Sequence, residues 1–206
     1  MPPPKQVELS ITTQSQRIGT HPYPPTVPPK ITMNGAAIPA PTSGSALPSG
    51  WQLVVINAYM DMTNPASIIS NRYWSLTAPN NLWSSSYQYM YRDLVRQALI
   101  SGNTQQQLVI AVSYGLDQNM PPTNDGLEML IEYGAGEQLQ NWENHCNPGS
   151  QAGSSNNLVA MPVNYILVGY SSHSYGQGTE KYEHGDPIQS NLTVTLRNPV
   201  PPSDAA

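Results

Sequence analysis

Three short apolar runs set the terms for this chain. They are Trp51-Gln52-Leu53-Val54-Val55-Ile56-Asn57, Gln107-Leu108-Val109-Ile110-Ala111-Val112-Ser113 and Val163-Asn164-Tyr165-Ile166-Leu167-Val168-Gly169. Each is rich in β-branched, Leu or aromatic side chains and lacks the alternation of a half-exposed strand. Runs of about 4–8 such residues read as strands covered on both faces. The first run reads as a central strand, with residues Ile68 to Leu76 able to pair with it.

Other segments supply the cover. Val7-Glu8-Leu9-Ser10-Ile11-Thr12 and Leu192-Thr193-Val194-Thr195-Leu196 alternate apolar and polar, the pattern of strands with one wet face. Ile31-Thr32-Met33 and Ala36-Ala37-Ile38 flank Asn34-Gly35, a pair that tolerates positive φ at both central positions of a tight hairpin turn. Residues 21–29 hold five prolines and read as an extended connector, and residues 39–50 as a loop. Ser84, Ser85 and Ser86 offer N-caps to a helix over 87–101, whose Met90, Leu94 and Leu99 keep a 3.6 period before Gly102. A shorter helix begins at Asn124 or Asp125, carries Leu127, Leu130 and Ile131, and ends at Gly134. Residues 147–157 read as a Gly-, Ser- and Asn-rich loop. The expected class is α+β: β-sandwich-like, antiparallel-rich sheets with two short packed helices. The expected division is a tail over 1–6, one β-rich domain over 7–198 and a tail over 199–206.

Charged residues make up 10% of the 206 positions, well under the ~25% of an ordinary globular domain, so the surface rests on neutral hydroxyls and amides. Eight Lys and Arg in total, without a cluster, make duplex nucleic acid an unexpected partner. No apolar run approaches the ~20 residues of a membrane span. Residues 1–6 carry no signal-peptide pattern, so synthesis in the cytoplasm is the expectation, with any place outside the cell, such as a virion or extracellular particle, reached by another route. The single cysteine, Cys146, allows no intrachain disulfide.

Four stretches, taken in order, carry a resemblance. They are Pro28-Pro29-Lys30-Ile31-Thr32-Met33-Asn34-Gly35; Gly50-Trp51-Gln52-Leu53-Val54-Val55-Ile56-Asn57; Leu108-Val109-Ile110-Ala111-Val112-Ser113-Tyr114 with Tyr133-Gly134-Ala135; and Tyr165-Ile166-Leu167-Val168-Gly169 with Lys181-Tyr182-Glu183-His184-Gly185-Asp186-Pro187. This order resembles the interleukin-like EMT inducer (ILEI) domain family. That family includes secreted signalling proteins, a glycosyltransferase stem domain and hinge proteins of phage long tail fibres. The resemblance covers most of residues 7–196 and marks Gly50 and Gly169 as strand-end positions set by the backbone. It departs from the family at Gly115-Leu116-Asp117, where an Asp pair is usual, and at Glu143, where an Arg falls in the sugar-holding stem domain. It also implies a candidate ligand-binding cleft where Asp117, Trp142 and Glu143 converge. There the two carboxylates would accept sugar hydroxyls and the indole would stack, with a preference for neutral glycans. Burial of Trp142 in the core is the competing expectation.

Other chemistry is weaker. His145-Cys146 lacks a second cysteine for a zinc site. His173, Glu180, Glu183, His184 and Asp186 could gather around a cation, but their Gly- and Ser-rich setting reads as a solvated loop. Trp51 and Trp74 read as core, and Trp83 stands in a polar loop. Asn191-Leu192-Thr193 has the form of a glycosylation sequon inside an expected strand. No phosphate loop, nucleophile elbow or zincin motif is present. The expected role is a non-enzymatic structural or adaptor component of a phage tail or similar virion-type particle, without metal or cofactor. Its partners would be other particle subunits or further copies of itself, with neutral glycans as a second class. The alternative is a lectin-like carbohydrate-binding module.

Overall fold

The computed structural model describes residues 6–16, 27–41, 49–75, 106–117, 121–122, 125–145, 161–171, 173–197 and 199. The helix expected over 87–101, Trp83, Cys146, the 147–157 loop, and the end segments 1–5 and 200–206 lie outside them, as does most of the 39–50 loop.

The strands are β1 (Gln6–Ser15), β2 (Lys30–Met33), β3 (Ala36–Ala37), β4 (Gly50–Asn57), β5 (Ile68–Ser75), β6 (Gln107–Tyr114), β7 (Leu116–Asp117), β8 (Pro162–Tyr170), β9 (Thr179–His184) and β10 (Ile188–Arg197). Two helices, α1 (Asp125–Glu132) and α2 (Glu137–His145), stand between β7 and β8. The smaller sheet has the order β10-β1-β2-β3. The larger runs β5-β4-β6-β8, with β9 on the far edge of β8. The two-residue β7 follows β6 past Gly115 (φ 63°) and pairs with the start of β8. Every strand pair is antiparallel. The expected α+β class with a sheet-rich core is what the chain adopts.

The three apolar runs form β4, β6 and β8, and two separate cores explain their composition. Val54, Ile56, Leu108, Ile110, Val112, Ile166 and Val168 face Val7, Leu9, Ile11, Ile31 and Met33 of the smaller sheet. On the opposite face, Trp51, Leu53, Val55, Val109, Ala111, Tyr165 and Leu167 meet Met129, Leu130, Leu139 and Trp142 of the helices. The larger sheet is thus the middle layer of three, and its central strands have no wet face to alternate toward. The smaller sheet has one, and β1 alternates accordingly.

Turn chemistry fixes the ends. Asn34 and Gly35 adopt φ of 47° and 79°, so the hairpin turn forms as expected. Asn34 also accepts the Glu8 N–H through Oδ1 (2.8 Å), tying the turn to β1. Helix α1 closes with Gly134 at φ 94°, where Ala135 N–H donates to Leu130 C=O and Gly134 N–H to Ile131 C=O. This paired Schellman arrangement satisfies carbonyls that a helix end otherwise leaves open.

Two elements correct the sequence reading. Residues 179–184, read as part of a solvated loop, form β9 and pair with β8 from Val163↔His184 to Val168↔Thr179. Residues 137–145, read without a helix, form α2. Its only apolar side chains are Leu139 and Trp142, and both are buried.

Candidate functional site

Trp142 sits in the middle of α2 with no exposed surface. Its ring packs against Trp51 (centroids 6.1 Å), Tyr165 (5.9 Å) and Tyr182 (6.0 Å), bringing β4, β8 and β9 onto one indole. The stacking role in sugar binding is therefore withdrawn: the face that would meet a sugar is occupied by aromatic neighbours. Glu143, the next residue, is exposed, because successive helix positions are about 100° apart. Partial burial raises its carboxyl from the ordinary value. Asp117 ends β7, its backbone opposite Pro162, while its side chain lies outside the described residues. The indole thus faces inward and the Glu143 carboxylate outward, so Trp142 cannot complete a cleft with it.

The carboxylate–histidine group is spent on structure. Glu180, on β9, reaches the start of α2. There its Oε1 accepts the N–H of Gly136 (3.0 Å) and Gln138 (2.8 Å), and its Oε2 accepts that of Leu139 (3.3 Å). Tyr165 donates its hydroxyl to the same carboxylate at 2.6 Å. A negative charge on open N–H groups at a helix start is favourable, so Glu180 caps α2 from another strand. Burial, and then the adjacent Glu180 charge, hold the Tyr165 phenol well above its ordinary value. Lys181 and Glu183, pointing the other way, pair at 3.1 Å. The His184 ring lies against Tyr182. Among the described residues no three His, Cys, Asp or Glu side chains are grouped to hold a metal ion.

Because Glu180 holds four donors, Glu180→Ala is expected to lower stability by about 2–3 kcal/mol. Glu180→Gln, which keeps one carbonyl acceptor, should lose less. Chemical denaturation of both variants checks this order; equal losses would show that a neutral carbonyl at this position holds none of the four donors.

A second polar group joins the sheets. Ser15 Oγ donates to Asn164 Oδ1 (2.7 Å) and accepts Gly115 N–H (2.9 Å). Asn164 Nδ2 donates to the Ser190 hydroxyl (3.1 Å) and the Thr13 carbonyl (3.2 Å). All are buried, which is why Asn164 can interrupt an otherwise apolar strand.

The loop between β8 and β9 presents the most exposed large hydrophobic side chain among the described residues, Tyr175, at 57%. The loop is braced on every side. Gly176 N–H donates to Ala135 C=O (3.0 Å) and Gly178 N–H to Gly134 C=O (2.8 Å). Gln177 N–H donates to Ser174 C=O, and Ser174 N–H returns a bond to Gln177 Oε1 (2.7 Å). The backbones interlock through glycines. A Cβ on Gly134 would lie 2.5 Å from Gly178 N, and one on Gly136 would lie 2.6 Å from Gly176 Cα. Tyr175 hydroxyl stands 3.5 Å from Gln140 Oε1 of α2, so the ring is carried beside an exposed helix face. Sequence reasoning passed over Tyr175; the glycines on either side of Gln177 were its one visible signal.

His173 opens this loop. Its Nδ1 accepts Tyr170 N–H at 3.3 Å, a role open only to the unprotonated atom, and burial lowers its pKa from 6.5. A depressed base makes the unfolded chain bind more protons, so stability falls as pH drops from 6.5 toward the lower folded value. The melting temperature of wild type should fall more between neutral and mildly acidic pH than that of His173→Gln. Parallel losses would remove His173 from the account.

Compared with known proteins, the chain matches no family model, no curated protein and no solved structure.

Proposed function

We propose that this protein is a non-enzymatic structural or adaptor component of a phage tail or similar virion-type particle. One observation carries the reading: the way its polar side chains are spent. Glu180 holds α2 to β9, and Ser15, Asn164 and Ser190 hold one sheet to the other. The outward positions of the smaller sheet, such as Ser10, Thr12, Asn191 and Thr193, carry neutral hydroxyls and amides that bond to one another across the strands. A doubly covered sheet with such a surface suits a part whose work is to be held between neighbours. The resemblance to ILEI domains, which include phage tail-fibre hinge proteins, supports the same role and a location in an assembled particle. Other subunits or further copies of the chain are its partners. Among the described residues no helix is long and apolar enough to cross a membrane.

The second reading, a lectin-like carbohydrate-binding module, is favoured by the braced, exposed Tyr175. Sedimentation velocity over a wide concentration range separates the two. Self-association is expected of the particle component. Deleting residues 1–5 and 200–206 should weaken it while leaving the melting temperature nearly unchanged, since proline-rich ends lose little entropy on docking. A monomer at every concentration that binds glycans would favour the second reading.

A further inference from the structure

We infer that Tyr175, with Gln140 and Gln177, forms a binding site for a neutral glycan on the surface shared by the β8–β9 loop and α2. The inference rests on the carbohydrate-binding side of the function proposed above and gives it a place different from the Asp117, Trp142 and Glu143 cleft.

Three observations carry it. First, the aromatic face is available: Tyr175 is 57% exposed, whereas Trp142, Trp51 and Tyr165 are all at 0%. Sugar rings present a face of C–H groups that packs on such a surface, and a tyrosine adds a hydroxyl at its rim. Second, the face is fixed in place. Gly176 and Gly178, which follow Tyr175, are tied by backbone hydrogen bonds to Ala135 and Gly134, Ser174 before it is bonded to Gln177, and the glycines let the two backbones pack in direct contact. A ligand meeting a prearranged surface orders little on binding, which is where weak sugar contacts otherwise lose affinity. Third, the neighbours have the right chemistry. Gln140 and Gln177 are exposed amides, each with donors and an acceptor for paired hydroxyls. Gln177 is itself held by Ser174 N–H, which leaves its amide nitrogen free to turn outward. Glu137 and Glu143, three positions before and after Gln140 on α2, are exposed and acidic. They repel sialylated or sulfated chains and leave neutral sugars as the class the site accepts.

The test is titration of the full chain with a panel of neutral oligosaccharides of glucose, galactose, mannose and N-acetylhexosamines, beside sialylated and sulfated ones. Binding should be confined to members of the neutral set. Tyr175→Ala should weaken it by about tenfold or more, Tyr175→Phe should retain most of it, and Gln140→Ala should fall between. All three should melt like wild type, because the side chains are exposed. No binding to any neutral glycan, or binding unchanged in Tyr175→Ala, would overturn the inference. So would a Tyr175→Ala protein whose only defect is in association with protein, since that would make the ring a subunit contact. Self-association measured on the same samples keeps the readings apart: an assembling protein that ignores sugars loses this site alone, and a sugar-binding monomer loses the particle role alone.

Discussion

Replacing Gly169 with alanine is expected to remove a large part of the fold's stability margin in one step. Gly169 lies near the end of β8, directly beneath the last turn of α1, and a Cβ there would fall 1.7 Å from the Tyr133 carbonyl oxygen. That oxygen is backbone, and Tyr133 cannot retreat. Its phenol is bound to Gln107 on β6, and the turn that follows it is closed by two helix-end bonds and interlocked with Gly178. The clash must be relieved by lifting α1 off the sheet, which uncovers Met129 and Leu130. A loss of about 4 kcal/mol or more is expected, placing the variant among the few that single mutations rarely exceed. For a chain of this size the melting temperature should fall by on the order of 10 °C. A melting curve unchanged by Gly169→Ala would mean that α1 does not sit on β8 as described.

Trp142→Ala should have the second largest effect, about 3–5 kcal/mol. The indole fills the space among Trp51, Tyr165 and Tyr182, side chains from three different strands. Truncation leaves a cavity whose walls are strands and cannot collapse. Trp142→Phe is informative because the buried Trp142 Nε1 has no hydrogen-bond partner among the described residues. A phenyl ring loses volume but no bond, so its cost should stay near 1–2 kcal/mol. Denaturant titration of the two variants gives the comparison. A small loss in Trp142→Ala would reopen the surface role withdrawn above.

The middle layer was legible in the sequence because its signal is local. A strand covered on both faces is apolar along most of its length, and residues 51–57, 107–113 and 163–169 announce that in spite of a few buried polar residues such as Gln52 and Asn164. The Asn34-Gly35 turn and the Gly134 helix end were legible for the same reason, each being set by a backbone conformation that few residues adopt. Helix α2 and strand β9 were not. Only Leu139 and Trp142 of α2 are apolar, and the helix is started by Glu180, some forty residues away in the chain. Strand β9 is polar except for Tyr182 and becomes a strand by pairing with β8. Trp142 illustrates the limit most clearly. Whether an indole faces solvent or core depends on what stands opposite, and Trp51, Tyr165 and Tyr182 come from three distant stretches. The same limit hid Tyr175, whose exposure follows from loop bracing by residues 134–136.

The pairing of β1 with β10 has a mechanical consequence. Gln6 stands opposite Arg197, and the register runs inward from there to Ser15 and Ile188. Chain entering at residue 6 and chain leaving at residue 197 therefore sit side by side at one corner of the molecule. Tension applied through those two points would meet the ladder from its open end and strain one rung at a time, as in peeling, and the rest of the domain would bear no load until β1 had come away. Force delivered across the flat sheet faces would instead be shared by every strand at once. A domain with this strand pairing withstands compression across its sheets far better than it withstands being pulled by its ends.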